Sequence, residues 1–304
     1  MGNIIRKIKN SRKIQVLILL TLLVIVIVFY SYFRANPVMP QLTIYFLDDV
    51  KLPEQGQTLL VFSPHPDDET IACGGYIIES VRRGAEVYII LVTDGNRRNL
   101  RDMRYLEFES ATCLLGVPCD NLIYLDYPDS RLAQQNQLEL QQVFKEIIQE
   151  YKPDILLYSH PEDNHIDHST TGIIIENILE EMLKKYQTFE KLEELEDLMR
   201  EEVVAEMDSL EKIIQDITAY KYLVHHRDYP HPKRYAPDLF MLPPLDLVTL
   251  EGGWERFMLS EEIKQQKERA LRAYITQLRN PLLKNLLEAS IRENEIFAVY
   301  QYEN

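Results

Sequence analysis

Short apolar segments alternate with helical segments between residues 58 and 159, and this alternation constrains the fold more than any other feature. Four uninterrupted apolar runs predict strands buried on both faces: 58–63, 87–93, 122–125 and 155–158. Three stretches between them have the apolar spacing of helices: 70–83, 101–115 and 138–151. Strands that alternate with helices in this way predict an α/β fold with a mostly parallel sheet and helices on both faces.

The rest of the predicted domain, which spans residues 58–304, is less regular. An acidic segment at about 180–217 predicts a long helical region with an apolar stripe. This stripe can pack on the domain's own sheet, or it can form a projecting hairpin that allows a homo-oligomer. Residues 222–224 predict an edge strand, and 260–277 and 282–292 predict closing helices.

The first 57 residues predict a membrane anchor followed by a stalk. Residues 1–13 form a basic tail, 14–33 are almost wholly apolar, and 34–57 contain several prolines. About 20 residues of helix cross the roughly 30 Å core of a bilayer. The basic flank favours a cytoplasmic N-terminus, which predicts a single-pass protein of the cell membrane with an extracytoplasmic domain. A cleaved signal peptide and a buried helix are the alternatives, although the sequence after residue 33 is a poor cleavage site.

Charge and cysteine content exclude some classes of protein. The net charge is −15 and the isoelectric point is about 5.0, and there is no basic stripe after residue 33. Nucleic acid is therefore not expected as a partner. The three cysteines have no regular spacing, which does not predict a disulfide framework.

Two polar clusters follow the first and the fourth predicted strand. One is Pro64-His65-Pro66-Asp67-Asp68-Glu69, and the other extends from His160 to His168. Because the carboxyl ends of parallel strands lie at one edge of a sheet, the two clusters are expected to meet there. Each has a simpler interpretation, since the first can be a turn with a helix cap and the second a polar loop with surface histidines.

The residue types predict a catalytic metal site. His65 and Asp68 can point the same way, and His168 completes a set of two nitrogens and one carboxylate with an open fourth position. This set suits Zn²⁺, which Fe²⁺ or Co²⁺ can replace. Asp67 is then a candidate general base, and His165 a candidate to stabilise an oxyanion or protonate a leaving amine. Asp167 can orient a histidine.

These motifs resemble those of the LmbE/PIG-L family of N-deacetylases. The segment PHPDDETIACGG resembles the signature of that family, and HPEDNHIDHSTTG is similar to its second metal motif. The similarity covers about residues 58–172. It implies a Rossmann-like fold, zinc held by His65, Asp68 and His168, Asp67 as the general base, and His165 at the oxyanion.

The resemblance also implies the substrate, an N-acetylglucosamine-type sugar or glycoconjugate from which acetate is released. Arg104 and Asp129 match sugar-contacting positions, although a structural salt bridge is an equally good interpretation of them. The anchor and the acidic helical segment depart from the family pattern. There are two alternative functions. The first is a related metal-dependent hydrolase of a non-sugar amide or ester, and the second is a catalytically inactive surface protein that binds glycans.

Overall fold

The computed structural model describes residues 12–35, 39–96, 99–193, 217–248 and 253–301. The described helices are α1 (Arg12–Ala35), α2 (Asp68–Arg82), α3 (Arg101–Leu115), α4 (Gln137–Tyr151), α5 (Ile166–Glu193), α6 (Glu261–Leu271), α7 (Ile275–Leu278) and α8 (Pro281–Ala289). The strands are β1 (Asp48–Asp49), β2 (Thr58–Ser63), β3 (Glu86–Thr93), β4 (Leu122–Tyr127), β5 (Ile155–Ser159), β6 (Thr218–Tyr222), β7 (Trp254–Met258) and β8 (Asn294–Val299).

These strands form one sheet of eight strands in the order β1-β7-β8-β6-β5-β2-β3-β4. All neighbours are parallel except β8, which is antiparallel to both β6 and β7. The chain leaves β2 towards β3 and β4 and then returns to place β5 on the other side of β2. The strand order therefore reverses between β2 and β5, which is where open α/β sheets bind ligands.

The two faces of the sheet carry separate apolar cores. Alternate residues of β2 belong to different cores, with Leu59 and Val61 in one and Leu60 and Phe62 in the other. Helices α2, α3 and α6 cover the first face, and α4 and α5 cover the second. This layering explains why β2 is a continuous apolar run, and it confirms the predicted parallel sheet with helices on both faces.

The carboxyl-terminal part of the domain differs most from the prediction. The predicted edge strand at 222–224 is instead β6, an internal strand between β5 and β8 that begins at Thr218. The predicted helix 260–277 is interrupted after Leu271, and β7 and β8 were not predicted at all. The predicted acidic helical segment is described only as far as Glu193, and its remainder at 194–216 lies outside the described residues.

A buried ion pair connects β8 to the helix that follows the first polar cluster. The Lys267 ammonium lies 2.7 Å from the Glu295 carboxylate and also donates to the Ile71 carbonyl. Glu295 accepts the backbone N–H groups of Gly75 and Tyr76 in α2. Both charged side chains are inside the protein, where removing either partner leaves an uncompensated charge at a cost of about 3–5 kcal/mol.

The N-terminal helix α1 is apolar, and none of its residues from Arg12 to Ser31 is buried. Residues Arg12–Ser31 have the length and composition to cross a membrane, and a signal sequence would meet the same criteria. Part of the predicted stalk packs on the domain instead of separating it from α1. A 3-10 helix at Gln41–Phe46 buries Ile44 against Leu242, and β1 joins the edge of the sheet beside β7.

Candidate metal centre and active site

The two polar clusters meet at the carboxyl ends of β2 and β5, as the sequence predicts. The turn after β2 leads into α2, and the loop after β5 leads into α5. Helix α5 passes so close to β5 that a Cβ atom at Gly172 would lie only 2.3 Å from the Ser159 carbonyl oxygen. This close approach brings His168, in the first turns of α5, to the end of β2.

The turn between β2 and α2 is strained and firmly held. Asp67 has a φ of 130°, a conformation that non-glycine residues adopt at a cost of about 1–3 kcal/mol. The Glu69 carboxylate accepts the Asp67 backbone N–H together with the hydroxyls of Ser63 and Tyr274. These contacts stabilise the turn and fix the directions of the side chains on either side of it.

Three donor atoms from His65, Asp68 and His168 form a compact triangle. His65 Nδ1 lies 3.1 Å from Asp68 Oδ2 and 3.1 Å from His168 Nε2, and the latter two atoms are 2.9 Å apart. Donors around a tetrahedral zinc, with bonds of about 2.0–2.2 Å, lie roughly 3.3 Å from one another. Two ring nitrogens at this distance need a cation or a proton between them. The triangle therefore fits a metal ion.

Each of the two histidines has a carboxylate near its second ring nitrogen. Asp167 Oδ2 lies 3.1 Å from His65 Nε2, and Asp163 Oδ2 lies 3.4 Å from His168 Nδ1. A carboxylate in this position fixes the tautomer and the orientation of a metal-binding histidine. Asp167 is thus placed to position His65. Asp163 was not assigned a role from the sequence, although it lies in the second polar cluster.

The electrostatics of the triangle favour positive charge at its centre. Burial lowers the pKa of His65, but hydrogen bonds with Asp167 and Asp68 outweigh it and raise the pKa to about 9. Burial likewise opposes the charged form of His168, yet Asp68 and Asp163 hold its pKa well above the usual value. Although burial acts to raise the pKa of Asp68, the two histidines hold it well below its usual range. The same arrangement stabilises a bound metal cation.

Asp67 belongs to the site but is not part of the triangle. Its carboxylate is buried beside Arg104, with 3.4 Å between Oδ2 and the nearest guanidinium nitrogen. Burial raises the pKa of Asp67 to about 7, while Arg104 acts in the opposite direction. A buried carboxylate of this kind can take up a proton near neutral pH.

His165 lies beside the triangle with its ring edge-on to His65, at 4.4 Å between ring centroids. Its Nδ1 accepts the backbone N–H of Asp167, so the neutral ring carries its proton on Nε2. Burial, followed by the nearby His65 and His168, lowers the pKa of His165 to about 4. His165 can therefore donate a hydrogen bond as a neutral ring.

A cavity of about 430 Å³ opens over these residues. One side is polar and is lined by His65, Asp67, Arg104, Asp129, His165 and His225. The opposite side is largely apolar and comes from α8, which contributes Leu282, Leu283 and Leu286. The sequence did not predict this apolar wall, because it depends on how α7 and α8 pack across the end of the sheet.

Arg104 and Asp129, the predicted substrate contacts, both line the cavity. The Arg104 side chain donates to the Pro66 carbonyl oxygen and lies near Asp67, but its Nε and Nη1 atoms have no hydrogen-bond partner. Asp129 is half-buried, and its Oδ1 lies 3.6 Å from His65 Nε2. Arg104 thus combines a structural contact with two buried donors that a ligand can satisfy.

His225, from the loop after β6, is a further residue of the site. Its ring lies 5.1 Å from that of His168 and 5.7 Å from that of His165, between centroids. A metal could also be held by a group of Asp68, His168 and His225, whose donor atoms lie within 4.8 Å of one another. From the sequence, His225 lies in a loop rich in proline and aromatic residues, and both a position over the pocket and an exposed position were open to it.

The fold is shared with solved deacetylases. An N,N'-diacetylchitobiose deacetylase from Pyrococcus horikoshii superposes with a TM-score of 0.52 at 19% identity, covering 81% of this chain and 84% of that one. A deacetylase of the teicoplanin biosynthesis pathway superposes with a TM-score of 0.53 at 14% identity, covering 82% of this chain and 100% of that one. At these identities the comparison establishes the fold alone.

The family resemblance is confirmed over the part of the chain that carries the site. Residues 60–179 match the PIG-L family, described as GlcNAc-PI de-N-acetylase. A probable N-acetyl-alpha-D-glucosaminyl L-malate deacetylase 2 from Bacillus anthracis is 28% identical over 127 residues, which is 38% of this chain and 55% of that protein. The match thus spans about half the length of this relative. The residues matched by the family, 60–179, include both polar clusters.

Proposed function

We propose that this protein is a zinc-dependent hydrolase that removes the N-acetyl group from an N-acetylglucosamine-type sugar or glycoconjugate. The observation that carries this proposal is the triangle of His65, Asp68 and His168 donor atoms at the end of a cavity that also contains Asp67 and His165. The match of residues 60–179 to a family of N-acetylglucosamine deacetylases supports the choice of reaction.

The triangle would hold the zinc ion. When bound, zinc supplies Lewis-acid chemistry, because it polarises a carbonyl group and makes water easier to deprotonate. Asp167 and Asp163 keep the two histidines oriented towards the ion. The Glu69 network holds the turn that carries two of the three donors.

The remaining residues move protons and stabilise charge. Asp67 accepts the proton of the attacking water, as its buried carboxylate faces the cavity. His165 donates its Nε2–H to the acetyl oxygen as that atom gains negative charge. The C–N bond then breaks, and the proton held by Asp67 passes to the departing nitrogen, so that acetate and a free amine are released.

The two sides of the cavity would bind different parts of the substrate. Arg104 has two buried donors without partners, and Asp129 offers acceptor oxygens, so both suit sugar hydroxyls. The apolar wall formed by α8 suits the group attached to the sugar, since Leu282, Leu283 and Leu286 offer no hydrogen bonds to a polar ligand.

Acetate release from N-acetylglucosamine conjugates tests the proposed function. The full chain in detergent is expected to release acetate as purified, to lose this activity after chelation, and to regain it when zinc is added. Simple acyl amides and esters serve as comparison substrates, and preferential turnover of these would favour the non-sugar hydrolase. Binding of one zinc per chain without any turnover would favour the silent glycan-binding protein.

We further propose that α1 anchors the protein in the cell membrane with the catalytic domain outside the cytoplasm. The length and composition of residues Arg12–Ser31 support the anchor, and the basic residues before it favour this orientation. The full chain is expected to stay in the membrane fraction after an alkaline wash, and protease added outside intact cells should degrade the domain. Release of the chain by the wash would point to a cleaved signal sequence.

A further inference from the structure

The 3-10 helix at Gln41–Phe46 has one buried face and one apolar face in solvent. Its inward face consists of Ile44, which is fully buried, with the half-buried Gln41 and Leu47 one turn away on either side. This spacing follows from the three residues per turn of a 3-10 helix. Leu42, Tyr45 and Phe46 point outwards and are 71%, 67% and 86% exposed.

This concentration of exposed apolar side chains is unusual for the molecule. Beyond α1, no other stretch of six residues in the described part of the chain exposes three large apolar side chains. Single exposed apolar residues such as Leu138 occur elsewhere and need no explanation. Three within one short helix form a patch, which we call the 42–46 patch.

The patch is attached to the domain by several specific contacts. The side-chain amide of Gln41 donates to the Phe240 carbonyl and accepts the Phe240 backbone N–H. Tyr45 packs edge-on against Phe240, with 6.0 Å between ring centroids. The Arg256 side chain donates to the Ile44 carbonyl and to Asp49 of β1. These contacts hold the patch in a fixed position on the domain.

The patch is also close to the membrane in the sequence. Helix α1 ends at Ala35 and the 3-10 helix begins at Gln41, so six residue steps connect them. Six steps of extended chain reach at most about 20 Å. The headgroup region on each side of the bilayer core is roughly 5–8 Å deep. With α1 in the membrane, the patch is thus held within reach of the lipid interface.

We infer that the 42–46 patch inserts into the lipid interface next to α1 and seats the catalytic domain on the membrane surface. Tyrosine and other amphipathic aromatic side chains are enriched at this depth. The transfer of leucine and phenylalanine side chains from water to this region is favourable, because it buries apolar surface. Because the patch is fixed to the domain through Gln41, β1 and Arg256, its insertion sets one orientation of the domain relative to the bilayer. The inference rests on the membrane anchor and is independent of the deacetylase activity.

Fluorescence quenching by lipids tests the inference on the full chain in lipid nanodiscs. The exposed Cys113 and Cys119 are first replaced by serine, while Cys73 is buried and stays in place. Phe46→Cys is then labelled with an environment-sensitive fluorophore. Leu138→Cys, at an equally exposed leucine at the start of α4, is the matched control.

Nitroxide lipids labelled near the headgroup are expected to quench the fluorophore at position 46 several-fold more strongly than the one at position 138. The emission at position 46 should also be blue-shifted, and Leu42→Ser with Tyr45→Ser should return it towards the value in water. Equal quenching at the two positions would overturn the inference. A blue shift at position 46 without lipid quenching would also overturn it, since the patch would then be covered by protein. Failure of the chain to enter nanodiscs would contradict both the proposed membrane anchor and this inference, whatever the outcome of the acetate assay.

Discussion

Replacing Asp67 with asparagine is expected to lower the rate of acetate release by about 10²- to 10⁴-fold, with bound zinc unchanged. Asparagine has nearly the same shape but cannot accept the proton of the attacking water. The zinc should remain, because the Asp67 carboxylate is not one of the three donor atoms. The backbone should also tolerate the change, since asparagine and aspartate are among the residues that most readily adopt a positive φ.

Zinc content and acetate release, measured on the same preparation, check this prediction. Asp102→Asn is a suitable control, because Asp102 is exposed in the first turn of α3 and makes no contact with the triangle. Full activity of Asp67→Asn would show that another group accepts the proton. Loss of zinc from this variant would show that Asp67 contributes to metal binding directly or by holding the strained turn.

Replacing His168 with alanine is expected to remove both the zinc and the activity, with a loss of rate larger than about 10⁴-fold. The variant lacks Nε2, which lies 3.1 Å from His65 Nδ1 and 2.9 Å from Asp68 Oδ2. Without this ring, the Asp68 and Asp163 carboxylates also lose their shared positive partner inside the protein. The free energy of unfolding should therefore fall as well.

The variant Asp167→Asn tests the carboxylate that positions His65. Asparagine keeps a hydrogen-bond acceptor near His65 but removes the negative charge that makes its imidazole a better ligand. We expect the affinity for zinc to fall by about 10- to 100-fold. The metal-free protein should also lose thermal stability, because the two Asp167 oxygens accept the backbone N–H groups of Ser130 and Leu132, and asparagine can serve only one of them. A competition titration with a zinc chelator measures this affinity, and His231→Gln, in a loop outside the site, is the control for histidine loss. Wild-type zinc affinity in both His168→Ala and Asp167→Asn would contradict the proposed metal centre.

The first half of the domain could be predicted from the sequence because its signals are local. Strand β2 is buried on both faces, so it is a continuous apolar run, and the structure places it at the predicted residues 58–63. Helix α3 likewise has the predicted limits, since the glycine after Leu115 adopts a left-handed conformation that ends it. The predicted meeting of the two polar clusters followed from the parallel arrangement alone.

The second half could not be predicted, because its elements are defined by distant partners. Strand β7 (WERFM) contains two charged residues, and it pairs with β1 and β8, which are far from it in the sequence. Lys267 is a charged residue on a helix and would be expected in solvent, yet it is buried against Glu295. For the same reason, the sequence contained no local signal for the apolar wall, and it left open whether His225 covers the pocket or is exposed.

The position of β8 has a consequence for the biosynthesis of the protein. This strand fills the space between β6 and β7, and its Glu295 holds the backbone of α2, the helix that begins at Asp68. The sheet therefore cannot close until residues 294–299 have left the ribosome and joined it. In a chain whose amino-terminal helix enters the membrane first, the helix that carries Asp68 would reach its final packing only after residues 294–299 have been synthesised and have joined the sheet.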